Sequence, residues 1–205
     1  MYTDLAGKVA LVTGCGKKTG IGYAIARKLA SCGGNVIIAD LGVQIDEGLL
    51  KAPGLGEMEE IAGELAKEFS VKTIAVGVDV TSTESVKKMA ETVKGAFDHV
   101  DILCNNAGAT FGVPATVLDY NEELWLKTVD INLTGTWRVS RAIIPMMIGR
   151  AGSIINTSSR AGKVPPVFNG AYAVAKAGLN MLTKVMAKEL AGAGIRVNAI
   201  CPGQI

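Results

Sequence analysis

The chain has 205 residues, 49% of them apolar and 20% charged, with a formal net charge of +2. That length suits one domain, residues 1–205, with a sizeable core, and the composition is not that of a disordered chain. No run of Lys or Arg suggests a nucleic acid or a membrane surface, and no apolar stretch reaches the ~18 residues needed to span a bilayer. The first residues, Met1 to Lys8, carry neither a basic nor an apolar leader segment, so no signal peptide is expected. Cys15, Cys32, Cys104 and Cys201 are far apart and form no metal-binding or disulfide spacing. No metal is expected, Cys104 and Cys201 read as buried thiols, and the compartment reads as reducing and cytoplasmic.

Along the chain, short apolar runs alternate with amphipathic segments. Lys8–Thr13 (KVALVT) reads as a buried strand, Gly20–Cys32 as a helix and Asn35–Ala39 as a second strand. Leu41–Gly56 is rich in Gly, contains Pro53 and has no clear period, so it reads as an irregular surface excursion. Glu57–Phe69 predicts a helix, Thr73–Val78 a strand, and a helix capped by Ser82 runs through Lys94. Asp101–Cys104 predicts the fourth strand, and Glu122–Ile148 a long helical stretch bent near Pro145. Ser153–Thr157 (strand), Gly170–Leu190 (helix) and Ile195–Ile200 (strand) complete the pattern. Continuous Val/Ile/Leu strands are buried on both faces, as in parallel sheets. The expected fold is therefore α/β, a Rossmann-type doubly wound parallel sheet. His99, the sole histidine, sits in a polar turn and reads as solvated, while Trp125 and Trp137 read as core or subunit-interface aromatics.

The first predicted strand ends in Thr13-Gly14-Cys15-Gly16-Lys17-Lys18-Thr19-Gly20-Ile21-Gly22. Glycines there let backbone turn tightly and approach a pyrophosphate, and the following helix offers that anion its N-terminus. At the tip of the second strand lies Asp40, where a carboxylate can accept the adenosine ribose hydroxyls and repel a 2′-phosphate. This favours NAD over NADP. Lys17 and Lys18 either face solvent or contact phosphate, and contact with a 2′-phosphate would admit NADP. Tyr172 and Lys176 are spaced to share one helix face. An ammonium beside a phenol favours the phenolate. Bringing a tyrosine from its usual pKa of ~10 to neutrality takes a shift of roughly 3 units, or ~4 kcal/mol. One close cation in a partly dry site supplies much of that and yields a general acid/base.

These residues resemble the classical short-chain dehydrogenase/reductase family over essentially the whole chain. The likeness rests on the glycine loop with Asp79-Val80-Thr81, Asn105-Asn106-Ala107-Gly108, Asn132-Leu133-Thr134-Gly135 and Ser158-Ser159. Tyr172-Ala-Val-Ala-Lys176, Ile195-Arg196-Val197-Asn198 and Pro202-Gly203 complete the series, in order and at the right spacing. The resemblance implies that Tyr172 is the acid/base, that Lys176 lowers its pKa and bonds the nicotinamide ribose, and that Ser159 holds the substrate oxygen. Asn132 would hold a water linking Lys176 to solvent. For the cofactor it implies Gly14, Gly16, Lys17, Gly20, Ile21, Gly22, Asp40, Asp79, Val80, Asn106, Ala107, Gly108, Pro202, Gly203 and the Ile205 main chain. Asn105, Asn106 and Asn198 read as chiefly structural. The family commonly forms tetramers, which implies a homo-oligomer.

Against the family pattern, the glycine loop is two residues longer than TGxxxGIG, as in enoyl reductases, and the segment after Asp40 is longer by roughly a dozen residues. The family continues beyond the position of Ile205 with a substrate-covering loop, a helix and a seventh strand, so a sheet lacking its last strand is expected. The expected activity is interconversion of a secondary alcohol and a ketone. Ala109–Pro114, Arg160 and Val164–Asn169 would wall a neutral, partly hydrophobic pocket. An enoyl-thioester reductase and a non-catalytic dinucleotide-binding regulator are the alternatives.

Overall fold

The computed structural model describes residues 4–47 and 50–203. Its centre is one sheet of six parallel strands: β1 (Val9–Thr13), β2 (Asn35–Asp40), β5 (Thr73–Gly77), β6 (Ile102–Asn105), β7 (Gly152–Thr157) and β8 (Ile195–Ile200). They lie in the order β5-β2-β1-β6-β7-β8. The order reverses between β1 and β6, so the crevice beyond their carboxyl ends is where this class of sheet accepts a ligand.

Side chains alternate across each strand, and both faces are apolar. Leu11, Ile37, Leu103 and Ile154 face one core, with Val86 and Met89 of α3 (Thr83–Ala96), Val139 and Ile143 of α5 (Gly135–Ile143) and Met186 of α6 (Gly170–Leu190). Val12, Val36 and Ile38 face the other, with Ala26 and Ala30 of α1 (Ile21–Ser31) and Met58, Ile61 and Leu65 of α2 (Leu55–Phe69). Ser82 caps α3, its hydroxyl accepting from Ser85 N at 3.2 Å.

Two segments depart from the sequence reading. The stretch read as irregular contains a short antiparallel hairpin, β3 (Ile45–Glu47) and β4 (Leu50–Ala52), with Ile45 opposite Ala52, and α2 starts at Leu55. Three-residue strands are too short for an alternating pattern to stand out. The long stretch from Glu122 is α4 (Glu122–Val129), a π-turn (Asp130–Thr134), then α5. Pro145 lies in a 3₁₀ turn after α5 (Ile144–Met146). The principal break comes earlier because the Asn132 amide donates to Thr128 O at 2.8 Å, competing for a carbonyl that the helix ladder would use.

Three smaller expectations also change. His99 is mostly buried, its Nε2 lying 3.0 Å from Asp101 Oδ2. Cys201 is only partly buried, with its thiol 3.7 Å from Asn180 Oδ1. Cys104 is buried, and burial pushes its thiol up to about 12. No helix among the described residues is long and apolar enough to cross a membrane.

Candidate active site

The glycine loop is built by close approach. Gly14 has φ +66°, and a Cβ there would sit 2.7 Å from Ala107 Cα; one on Gly22 would sit 2.2 Å from Gly14 O. Asn106 locks the loop to the end of β6: its amide donates to Thr13 O (3.2 Å) and Gly14 O (2.9 Å). In return Thr13 Oγ1 accepts from the N–H groups of Asn106 (3.0 Å) and Ala107 (3.1 Å). Gly20 stands at the N-cap of α1 with no side-chain cap, and no acidic residue occupies the first turn. The N–H groups from Ile21 on are therefore suited to an anion.

Asp40 makes contacts within the chain that the sequence did not suggest. Its Oδ2 accepts from Gly16 N at 2.9 Å and its Oδ1 from Leu41 N at 2.8 Å, so the carboxylate ties the long loop to the tip of β2. Each oxygen retains a further lone pair for a ribose hydroxyl. Pro53, just after the hairpin, backs the same loop: a Cβ on Gly16 would meet Pro53 Cγ at 2.6 Å and Met58 Cγ at 2.9 Å. Lys17 and Lys18 border a cavity of about 430 Å³ between this loop, the hairpin and α2. Lys18 is paired with Glu64 at 2.7 Å, and both are exposed.

Asp79 Oδ1 accepts from Thr81 N (2.9 Å) and Thr81 Oγ1 (2.7 Å), which fixes the turn carrying Val80. Val80 is buried against Gly135, where a Cβ would meet its Cγ2 at 2.8 Å. Arg138 holds that turn to the π-turn, its Nη1 donating to Val80 O (3.3 Å) and its Nη2 pairing with Asp130 (2.9 Å).

The residues expected from the sequence to be catalytic gather around α6. Tyr172 and Lys176 occupy successive turns, with Nζ 5.5 Å from the Tyr172 ring centroid. Lys176 is buried, its Nζ donates to Thr157 O at 2.8 Å, and burial pushes its pKa down to about 8. Buried Asn132 donates to Ala109 O as well as Thr128 O, while its Oδ1 meets no partner among the described residues. A Cβ on Gly108 would lie 2.7 Å from that Oδ1 and 3.5 Å from Lys176 Nζ, so glycine keeps the space between amide and ammonium open.

The adjacent serines diverge. Ser158 is buried, and its hydroxyl donates to Lys176 O at 3.1 Å. Ser159 is half-buried, and its Oγ accepts from Ala161 N at 3.1 Å, leaving its own proton for another acceptor. Arg160 N donates to Pro202 O (2.9 Å), which brings Pro202 to the same turn. Gly203 is exposed, and Ile205 lies outside the described residues. The loops expected to wall a pocket are joined by a Thr110–Asn169 side-chain bond (3.2 Å) and by Ala115 N donating to Phe168 O (3.1 Å). They expose Val164, Val167 and Phe168, whereas Arg160 points into solvent-accessible space.

Asn105 and Asn156 are buried below these groups. Asn105 Nδ2 donates to Ser140 Oγ (3.0 Å) and Asn156 Oδ1 (2.9 Å), and Asn156 Nδ2 donates to Thr183 Oγ1 (2.9 Å). This polar row braces α5, β6, β7 and α6. Sequence reasoning missed Thr157 O, Ser158 and Gly162 as supports, and the Ser158-Ser159 doublet was the one available signal. Among the described residues no group of three metal-ligating side chains forms.

Comparison with known proteins gives the same family. Residues 8–205 match the short chain dehydrogenase family. The 3-oxoacyl-[acyl-carrier-protein] reductase FabG of Aquifex aeolicus is 38% identical over 209 residues, covering 100% of this chain and 77% of that protein. Carveol dehydrogenase from Mycobacterium avium, solved in complex with NAD, superposes with TM-score 0.88 at 32% identity, covering 97% of this chain and 71% of that one. L-Sorbose reductase from Gluconobacter frateurii, complexed with NADPH and L-sorbose, gives 0.86 at 33% identity, covering 99% and 72%. Both neighbours hold a nicotinamide dinucleotide, and the glycine loop, the uncapped α1 N-terminus and Asp40 fit that group here. The chain is thus an oxidoreductase of the classical short-chain dehydrogenase/reductase family.

Proposed function

We propose that the protein interconverts a secondary alcohol and a ketone, with NAD preferred over NADP. The observation that carries this reading is the buried Lys176 ammonium one helical turn from Tyr172, its Nζ donating to Thr157 O at 2.8 Å with no carboxylate paired to it among the described residues. Burial holds its pKa below the ordinary lysine value, and low surrounding polarity strengthens the electrostatic support it gives to Tyr172. Tyr172 exchanges the proton at the substrate oxygen, and the free Ser159 proton orients that oxygen. Asn132, with its uncommitted Oδ1 beside Lys176, holds a water that returns protons to solvent. The bound nicotinamide supplies or accepts the hydride.

Asp40 supports the NAD preference: an anion already fixed by two backbone N–H groups repels a 2′-phosphate where the ribose would lie. Gly14, Gly16, Gly20, Ile21 and Gly22 would take the pyrophosphate side. Asp79, Val80 and Asn106–Gly108 would take the adenosine, with Lys176, Pro202 and Gly203 at the nicotinamide end. The exposed Val164, Val167 and Phe168 favour a neutral, partly apolar substrate. The names of carveol dehydrogenase, L-sorbose reductase and 3-oxoacyl reductase are consistent with carbonyl–carbinol chemistry. A cytoplasmic homotetramer completes the proposal, with Leu126, Trp137, Met181 and Val185 exposed on the helices that would meet. The test is NADH formation at 340 nm over a panel of secondary alcohols, with NAD and with NADP, for the protein and its Tyr172→Phe variant. Turnover with NAD that collapses in the variant is expected. Activity on C=C thioesters but on no alcohol or ketone, or undiminished turnover in the variant, would overturn it.

A further inference from the structure

Lys176 is gripped at both ends by two consecutive residues of the β7 terminus. Its ammonium donates to Thr157 O at 2.8 Å, and its own carbonyl accepts from the Ser158 hydroxyl at 3.1 Å. In a regular helix that carbonyl already takes the N–H four residues on, so Ser158 uses its second lone pair and adds a bond from outside the helix. The turn after β7 closes on the same spot. A Cβ on Gly162 would lie 2.6 Å from Lys176 C, 2.7 Å from Lys176 O and 2.9 Å from Ala177 N, so only glycine lets the turn rest on this part of α6. One helical turn further, Asn180 Nδ2 donates to Gly162 O at 3.2 Å. The same turn carries Ser159 and bonds Pro202 through Arg160 N.

The geometry points to Ser158 and Gly162 as positioning residues that set how deeply Lys176 sits against the end of β7, and so its placement relative to Tyr172 and Ser159. This rests on the proposed role of Lys176. Without the Ser158 hydroxyl, α6 is free to lift at Lys176, the ammonium loses Thr157 O, and water reaches it. An alanine at 162 forces the same separation from the other side. Among the described residues, the groups placed around the ammonium are Tyr172 on its own helix and the neutral Thr157, Asn132 and Gly108. Where Tyr172 is neutral, a change in the Lys176 titration reports its hydration, and a Tyr172→Phe background removes the phenol's contribution.

The test follows the Lys176 ammonium by NMR of the selectively labelled protein, alongside kcat, KM and the pH profile of turnover. In Ser158→Ala and Gly162→Ala, the Lys176 titration is expected to rise by about a unit or more towards the ordinary lysine value. The expected loss in kcat is on the order of 10²-fold, the scale of a 1 Å misplacement. Ser158→Cys, similar in volume but a weak donor, is expected to fall between Ala and the parent. Thr183→Val is the control, because it removes a buried bond between α6 and Asn156 of β7 without touching Lys176. It is expected to lower Tm and leave the Lys176 titration unchanged. If Ser158→Ala and Gly162→Ala match Thr183→Val, losing Tm with Lys176 unmoved, the positioning role is wrong. The titration needs no substrate, so it decides even where no alcohol in the panel turns over, an outcome that would count against the proposed activity instead.

Discussion

Two buried charges stand at opposite ends of the sheet and are treated in opposite ways. At the amino ends of the strands, Asp101 is 3% exposed and fully supplied: it accepts from Val9 N (2.9 Å), pairs with Lys8 (3.1 Å) and meets His99 (3.0 Å). Burial pushes its pKa up, but the Val9 N–H, the Lys8 ammonium and His99 together pull it below its ordinary value. At the carboxyl ends, Lys176 is equally buried, yet among the described residues one carbonyl is its hydrogen-bond partner and no carboxylate offsets its desolvation. A charge that is paired ties two strands together. A charge left without a counter-ion is kept at a cost in stability, and such sites are where chemistry is done.

The largest effect should come from breaking the unpaired end. Lys176→Met is expected to lower kcat/KM by roughly 10²–10⁴-fold, the range of general acid/base support, in the same 340 nm assay. The parent protein should also show a pH dependence of stability that this variant lacks. The folded-state pKa of Lys176, about 8, lies below its ordinary 10.5, so the unfolded chain holds the extra proton between those values. The cost of the buried ammonium is full below pH 8 and fades as pH rises to 10.5. Denaturant melts of parent and variant should therefore diverge by about 3 kcal/mol across that window, with the parent gaining. Parallel curves would mean that the ammonium is solvated. Asp101→Asn tests the paired end: about 2 kcal/mol of stability lost at neutral pH, with kcat within a few-fold. Because the folded pKa of Asp101 is depressed, its contribution is present above pH 3.8 and lost as pH falls through the folded value. The deficit of the variant should shrink in acid.

The sequence displayed these two ends unequally. The bounds of α6 and β8 matched the reading because Gly170, and Gly194 at φ +71°, punctuate clear periodic runs. The glycine loop and the Tyr172/Lys176 pair were visible because each is set by spacing along a short stretch of chain. The Asp101 cluster was not visible. Lys8 and Asp101 each precede an apolar run, and only the adjacency of β1 and β6 sets them side by side. The π-turn was hidden because the apolar period runs through it, and the break depends on the Asn132 amide reaching Thr128 O and Ala109 O. Ser158 could not be told from Ser159 as a support for α6, since that role depends on which way each hydroxyl turns after β7. The bond from Asp40 to Gly16 N depends on a long loop folding back to its carboxylate.

The smallest effect sharpens the comparison at the cofactor end, where a third charge is exposed. Lys18 was open to two readings, a solvent lysine or a phosphate contact, and the structure pairs it with Glu64 of α2. Exposed pairs of this kind contribute little, because water screens them and two long side chains must be ordered. Lys18→Met should therefore leave Tm within about a degree and KM for NAD and for NADP within about two-fold. A selective rise in KM for NADP would show that the lysine leaves Glu64 to meet a 2′-phosphate. The control of cofactor choice proposed for Asp40 would then be shared with the extended loop.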